Sequence, residues 1–395
     1  MDRSGSQAET PVTVAWGGDV NIGRRFHYGF HETGARDALA AIRPLVEADL
    51  GIINLECVVA TSGVECVGKG ERASYYFRAR PEMLEALVRG GVDLVATANN
   101  HSGDYGPEAL VEQAEWVKAA GIGHAGSGPD REAAFQPVIR RVGNLGIALF
   151  SLDATQASFA ATDARPGTAW LDPSRPKEWY DIMAPRIAAA REQADIVLVA
   201  IHWGQNNRPQ PDAAEIAGGH ALVDAGADAV LGASAHVLQG VEVYRGRPIL
   251  HDVGDLLFDA LRRPDKDGGI FTLELDERGV RRVRFAPLEI GFCRSVSPGE
   301  SAAQEITRRF AAKCAALGSN LVVKDDGTGE IELDPPRTGE VLVKMAYAGI
   351  CHSDEHFYTG DSVPPPDMEE MMRAAGVDVP DWFPMLGGHE GSGIV

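Results

Sequence analysis

Five apolar runs in this chain each break off into a cluster of Asp, Glu, Asn or His residues, and that repeated pattern constrains the fold most. Residues 12–16 run into Gly17-Gly18-Asp19-Val20-Asn21, and residues 50–54 end in Asn54-Leu55-Glu56. Residues 92–97 lead into Ala98-Asn99-Asn100-His101-Ser102-Gly103-Asp104-Tyr105-Gly106, and 196–202 end in His202-Trp203-Gly204. The fifth run, 229–232, opens into Ala233-Ser234-Ala235-His236-Val237-Leu238-Gln239. Helix-length amphipathic stretches separate these runs at 35–47, 82–89, 107–120, 179–194 and 213–225, with Pro81 and Pro107 at helix starts. Such alternation predicts parallel strands joined by helical crossovers. The 196–202 run holds few polar residues, as a strand covered on both faces does. Open sheets of this kind gather ligands beyond the carboxyl ends of their strands, where all five clusters fall.

The rhythm then changes. Residues 241–244 and 248–251 flank Arg245-Gly246, and 270–275 and 280–287 flank Asp276-Glu277-Arg278-Gly279; both read as hairpins. An α/β first half feeding an antiparallel second half predicts a layered sandwich with mixed sheets. A last helix spans 301–317, and Asp325-Asp326-Gly327-Thr328-Gly329 forms a turn-rich joint. The division expected is a flexible 1–10, a body of 11–329 and a distinct segment of 330–395.

With 395 residues the chain is long enough for two or three domains. Its 44% hydrophobic and 24% charged residues are those of an ordinary globular protein. A net charge of −20 argues against nucleic acid or an anionic membrane as partner. Five scattered cysteines imply no disulfide framework. The opening MDRSGSQAETPVTVAW has no apolar signal region and no later run is long enough to span a bilayer, so a cytoplasmic location is expected.

Asp, Glu, Asn and His together make a ligand set that suits Mn²⁺, Fe²⁺, Zn²⁺ or Mg²⁺ better than a thiolate metal. Asp19 can hold a cation, Glu56 can bridge two, and Asn100 can offer its carbonyl oxygen. His101 can give a proton to a leaving oxygen while Asp104 fixes its tautomer. The bland readings stand beside these. Gly-Asp and Asn-His-Gly-Asp are also turn formers, Glu56 could be a surface carboxylate, and a lone core histidine is commonly just a satisfied polar group. No Ser or Cys nucleophile with a nearby base stands out, so water activated on one or two divalent ions is the expected attacker.

Taken in order, GD, NLE, NNHSGDYG, HWG and SAHVLQGVEVYRGRPILHDVGDLLFD resemble the CapA family, named for poly-γ-glutamate capsule synthesis and similar to the calcineurin-like metallophosphoesterases. The resemblance covers most of residues 10–329. It implies a four-layer αββα metallophosphatase-like sandwich. It also implies metal positions at Asp19, Glu56, Asn100, His202 and His236, with His101 and Asp104 as the proton-handling pair. Two positions depart from the pattern. CapA-type sequences usually carry two histidines around one residue in the last loop, and here the first is Ser234. The wider superfamily places a histidine two residues after its first Asp, and here that residue is Asn21. Each change removes an imidazole, so a one-ion site is an open alternative to a two-ion site. Capsule proteins of the family usually carry an N-terminal membrane anchor, which this sequence does not show, so a direct role in export is not expected.

From about Glu330 the sequence resembles something else. Gly339-Glu340-Val341 through Met345, then Gly349-Ile350-Cys351-His352-Ser353-Asp354 and Gly387-Gly388-His389-Glu390-Gly391, are similar to the start of zinc-dependent medium-chain alcohol dehydrogenases, a GroES-like β-rich fold. The resemblance implies zinc ligation by Cys351 and His389, with Glu390 beside them and Ser353 in a proton relay. The rest of that family's machinery, including its cofactor domain, has no counterpart here, and no G-x-G-x-x-G follows a strand. Two ligands leave zinc under-coordinated and weakly held. The segment is expected to be a truncated, poorly ordered fragment.

The function expected is a metal-dependent hydrolase of phosphoester type acting on a small or polymeric anionic substrate. The alternative is a non-catalytic protein that binds or assembles an anionic polymer around a degraded metal site. Loops 23–33, 63–76, 153–175 and 205–212 would build the pocket, with Arg24, Arg25 and Arg208 available to grip an anion.

Overall fold

The computed structural model describes residues 11–32, 35–70, 74–259, 266–333, 344–349 and 390–394. The chain divides into two compact units, Met1–Asp334 and Pro335–Val395. The strand Gly329–Glu332 belongs to the first unit, because it pairs with Gly279–Gly291, so the turn-rich joint around Gly329 lies inside the main body. In the second unit the described residues form two antiparallel strands, Lys344–Gly349 and Glu390–Ile394. Cys351, Ser353 and His389 lie outside the described residues.

Two sheets form the first unit. One has ten strands, ordered Val322–Val323, Gly329–Glu332, Gly279–Gly291, Asp267–Asp276, Val12–Val20, Leu50–Leu55, Leu94–Ala96 and Gly123–Ala125, with Asp255–Leu257 and Arg294–Val296 as side branches. The half from Val12–Val20 to Gly123–Ala125 is parallel, and the half from Val12–Val20 to Val322–Val323 is antiparallel. The second sheet has six strands in the order Leu238–Tyr244, Arg247–Val253, Ala229–Ala233, Ile196–His202, Leu145–Asp153 and Val138–Val142.

Side-chain alternation sets the layers. Val14, Trp16, Leu50, Ile52 and Leu94 of the first sheet share one core with Ile147, Leu149, Leu198, Leu231 and Leu250 of the second, so these faces pack on each other. The intervening Ala15, Ile53 and Val95 point the other way, onto Phe26, Leu45, Leu87 and Val117 of the helical segments. Phe150, Val197, Val199 and Val230 likewise pack on Met183, Ile187 and Leu222 from the helices Glu178–Arg191 and Ala213–Asp224. Burial on both faces at period two is what a strand between two layers requires. The result is a four-layer αββα sandwich. Trp16 Nε1 also donates to the Gly232 carbonyl at 3.3 Å, tying one sheet to the other.

Some elements differ from expectation. The 35–47 stretch is not one helix. It is a 3₁₀ turn, Ala35–Asp37, and a short helix, Arg43–Val46, because Pro44 suits the first turn of a helix and disfavours one that runs through it. The Arg245-Gly246 hairpin is as expected, both turn residues taking positive φ, 50° and 73°. The helix Glu300–Ala316 inserts Ile306, Phe310 and Cys314 into the core between the sheets. Among the described residues no helix is long and apolar enough to cross a membrane.

Candidate metal centre

The parallel strands bring their carboxyl ends to one rim, and the polar clusters meet there. Asp19 ends the first strand and Glu56 follows the second; both are fully buried. His202 closes Ile196–His202 on the opposing sheet, and His236 sits on the loop after Ala229–Ala233. One ligand atom each from Asp19, Glu56, His236 and Asp255 lies within 4.8 Å of the others. His236 Nδ1 is 3.3 Å from Asp19 Oδ2, 3.9 Å from Glu56 Oε2 and 2.9 Å from Asp255 Oδ1. His202 reaches Asp19 Oδ1 at 3.8 Å through Nδ1 and Glu56 Oε1 at 3.9 Å through Nε2.

These groups are short of partners. Both Glu56 oxygens, His202 Nε2 and Asn100 Oδ1 are buried without a hydrogen bond. Such groups cost roughly 1–3 kcal/mol each, more when charged. A divalent ion among these oxygen and imidazole donors would satisfy several of them at once, so the residues fit the cation that their chemistry implies.

The electrostatics agree. Burial pushes Glu56 well above the usual carboxylate range, and the Asp19 charge adds to the push. Burial and Asp19 do the same to Asp252. Burial also acts to raise Asp19, but its hydrogen bond to His236 and the charges of His202 and His236 outweigh it and hold it low. His202 is driven down to about 3 by burial. Burial opposes protonation of His236, yet the Asp255 and Glu56 carboxylates carry it well above the ordinary imidazole value.

Asparagine amides hold the carboxylates in place. Asn99 Nδ2 donates to Asn54 Oδ1 at 3.1 Å, and Asn54 Nδ2 donates to Asp19 Oδ1 at 2.7 Å. Asp252 accepts from the backbone of Ala235 at 2.6 Å and Gly254 at 2.8 Å, fixing the His236 loop. That loop carries two non-glycine residues at positive φ, Ser234 at 114° and His236 at 60°. Strain of this kind persists only where the surroundings enforce it. Ser234 contributes its backbone N–H, which donates to Asp19 Oδ2 at 3.1 Å.

Beside the cluster stand His101 and Asp104, the expected proton-handling pair. His101 Nδ1 contacts Asp104 Oδ2 at 2.6 Å, and His101 Nε2 faces Glu56 Oε1 at 3.8 Å. Phe77 stacks on the imidazole with centroids 3.6 Å apart and fixes its plane. Burial, then the Lys69, His236 and Arg24 charges, depress His101 well below the ordinary imidazole value. Burial raises Asp104 to about 7 against the pull of Lys69.

Asp19, Glu56, His202 and His236 therefore converge, and Asn100 brings an unpartnered oxygen on the same loop as His101. Of the three arginines, Arg208 is committed to Asp212 at 2.8 Å and Glu215 at 3.1 Å. Arg24 pairs with Asp259 at 3.3 Å and lies 4.8 Å over the Phe77 ring, while Arg25 is exposed. Asp255 and Lys69 escaped the sequence reading. Asp255 left a signal, since Gly254-Asp255 repeats Gly18-Asp19. The two aspartates are register partners on parallel strands, and both glycines take positive φ, 71° and 69°. A single lysine in a polar loop left none.

Known proteins match the chain in two separate stretches. Residues 13–260 match the family model described as bacterial capsule synthesis protein PGA_cap, and residues 337–395 match the alcohol dehydrogenase GroES-like domain. A probable polyglutamine synthesis accessory protein of Mycobacterium tuberculosis is 31% identical over 289 residues, 63% of this chain and 74% of that protein. The capsule biosynthesis protein CapA of Bacillus anthracis is 27% identical over 287 residues, 71% of this chain and 67% of its own. At the other end, an NDMA-dependent alcohol dehydrogenase of Amycolatopsis methanolica is 44% identical over 66 residues, 17% of this chain and 13% of the enzyme. Among solved structures, a 5'-nucleotidase precursor from Thermus thermophilus superposes with a TM-score of 0.44 at 14% identity, over 79% of this chain and 61% of that one. The match over residues 13–260 takes in all five strand-end clusters and well over half of the sequence, and the chain belongs to the bacterial capsule synthesis protein PGA_cap family.

Proposed function

We propose that the first unit is a divalent-metal-dependent hydrolase of phosphoester type that serves capsule or polyglutamate synthesis. The observation that carries this reading is the buried, unpartnered Glu56 carboxylate, enclosed by Asp19, His202, His236 and the His101–Asp104 pair. Asp19, Glu56, His236 and Asp255 would hold the ion, with His202 and Asn100 as further donors; Mn²⁺, Fe²⁺, Zn²⁺ or Mg²⁺ all suit the set. A bound divalent ion supplies a Lewis acid for a phosphoryl oxygen and makes nearby water more acidic.

The chain's own residues supply the proton chemistry. Asp104 accepts from His101 Nδ1, which leaves Nε2 as the atom aimed at the centre. The neutral imidazole of the free site gains proton affinity when an anionic group enters beside it. His101 Nε2, the bare nitrogen of that neutral ring, takes up a proton from solvent as the anion enters and then passes it to the departing oxygen. The Phe77 stack excludes water from one face of the ring and stops it turning.

The test joins metal content to turnover. The full chain loaded with Mn²⁺ should hydrolyse p-nitrophenyl phosphate or its diester, and His101→Ala should lower kcat by roughly 10²–10⁴-fold while keeping its metal. Bound metal without turnover on any phosphoester would instead favour the polymer-binding alternative. A metal-free protein after reconstitution would end the proposal.

A further inference from the structure

Among the described residues, Lys69 is a buried charged group at this rim that the chemistry above does not use. Its side chain is fully buried, and its Nζ lies 2.8 Å from Asp104 Oδ1 and 3.5 Å from His101 Nδ1. Asp104 is thereby ordered at both oxygens: Oδ1 accepts from Lys69, while Oδ2 accepts from the Phe77 backbone N–H at 2.6 Å and faces His101 Nδ1. Lys69 Nζ also donates to the Tyr75 carbonyl at 3.1 Å, and Gln156 Nε2 donates to the Lys69 carbonyl at 2.8 Å. Gln156 in turn bonds through its backbone to Asp153 Oδ2 at 3.2 Å, at the end of a strand in the other sheet. One lysine thus joins a loop of the first sheet, a loop of the second and the proton-handling pair.

We propose that Lys69 is a positioning residue, which clamps the Asp104 carboxylate so that His101 keeps Nδ1 engaged and Nε2 directed at the metal centre. A carboxylate with one oxygen left unpaired in a buried site would turn toward another donor or lose its hold on the imidazole. Carboxylates that orient a histidine typically matter ten- to a hundredfold, and a group fixing that carboxylate acts through the same link. The kinetic half of this proposal rests on the hydrolase reading; the structural half does not.

The experiment therefore has two readouts on the full chain. The first is the hydrogen-bonded Nδ1 proton of His101, followed by NMR in protein labelled at histidine and assigned by its loss in His101→Ala. Lys69→Met, close in shape and uncharged, should shift or broaden this resonance while circular dichroism shows an intact fold. The second is turnover of p-nitrophenyl phosphate with Mn²⁺, where Lys69→Met should lower kcat by about ten- to a hundredfold and leave KM unchanged. Lys69→Ala covers the case in which the methionine variant fails to fold: ethylammonium, filling the vacated space, should restore the resonance and part of kcat. An unaltered His101 resonance in Lys69→Met, or an Ala variant indifferent to ethylammonium, overturns the proposal. An altered resonance in a protein that hydrolyses nothing would sustain Lys69's role and defeat the hydrolase reading instead.

Discussion

Single residues at this rim are held by geometry that tolerates little change. Gly18 takes φ 69°, and a Cβ there would stand 2.3 Å from the Gly254 carbonyl oxygen. The Asp19 backbone N–H donates to that same carbonyl at 3.1 Å, so the two Gly-Asp turns interlock. Gly18→Ala is expected to lower stability by at least about 1 kcal/mol and to weaken metal binding, read by thermal melts with and without Mn²⁺. Glu56→Gln should behave differently. It removes the charge that the cation would neutralise, so metal affinity should fall while the metal-free protein becomes no less stable, as a buried carboxylate without partners costs the fold energy. Calorimetric titration of Mn²⁺ into wild type and variant, with thermal melts of both in the metal-free state, checks both halves.

At the level of elements, helices that carry no site residue still set the rim. Asp212 caps the helix Ala213–Asp224, accepting from Ala214 at 2.8 Å and Glu215 at 2.9 Å, and Glu215 returns a bond to the Asp212 N–H. Asp212→Ala should cost about 1 kcal/mol, measured by urea unfolding. Burial acts to raise Asp212, but the Glu215 backbone bond and Arg208 outweigh it and hold it below the usual value. A carboxylate depressed in the folded state stabilises above its unfolded value near ~4 and loses that contribution as pH falls through the folded one. Asp212→Asn, which keeps an acceptor but no charge, should therefore flatten the acid limb of the stability profile and match wild type most closely at the lowest pH.

For the whole molecule the decisive boundary is at Asp334. Ile331 and Leu333 are buried and the Gly329–Glu332 strand pairs with Gly279–Gly291, so a chain ending at Thr328 should lose roughly 3 kcal/mol or more. A chain ending at Asp334 should melt as the first unit does in the full protein and bind metal equally well. Differential scanning calorimetry of the two truncations tests this; equal melting of both would place the boundary earlier.

Much of this was readable in the residues alone. Alternating apolar runs fixed the strands, because a two-residue period facing cores on both sides leaves few other options for Leu198, Val199 and Ala200. The strand-end clusters pointed to Asp19, Glu56, His202 and His236 as candidates, and these side chains meet because the carboxyl ends of the strands gather at one rim. The edge strand Val138–Val142 and the strand Gly329–Glu332, one in from an edge, were not legible, being short, half polar and defined only by their partners. Pro44 broke a helix that amphipathic spacing had joined. Convergence itself was beyond the sequence: Asp255 becomes Asp19's register partner only when a strand from far along the chain returns beside the first. Lys69 meets Asp104 only because a polar loop folds inward, burying an ammonium that composition would leave in water. Local periodicity is written along the chain, but which distant side chains share one low-dielectric pocket is decided by how the two sheets stack.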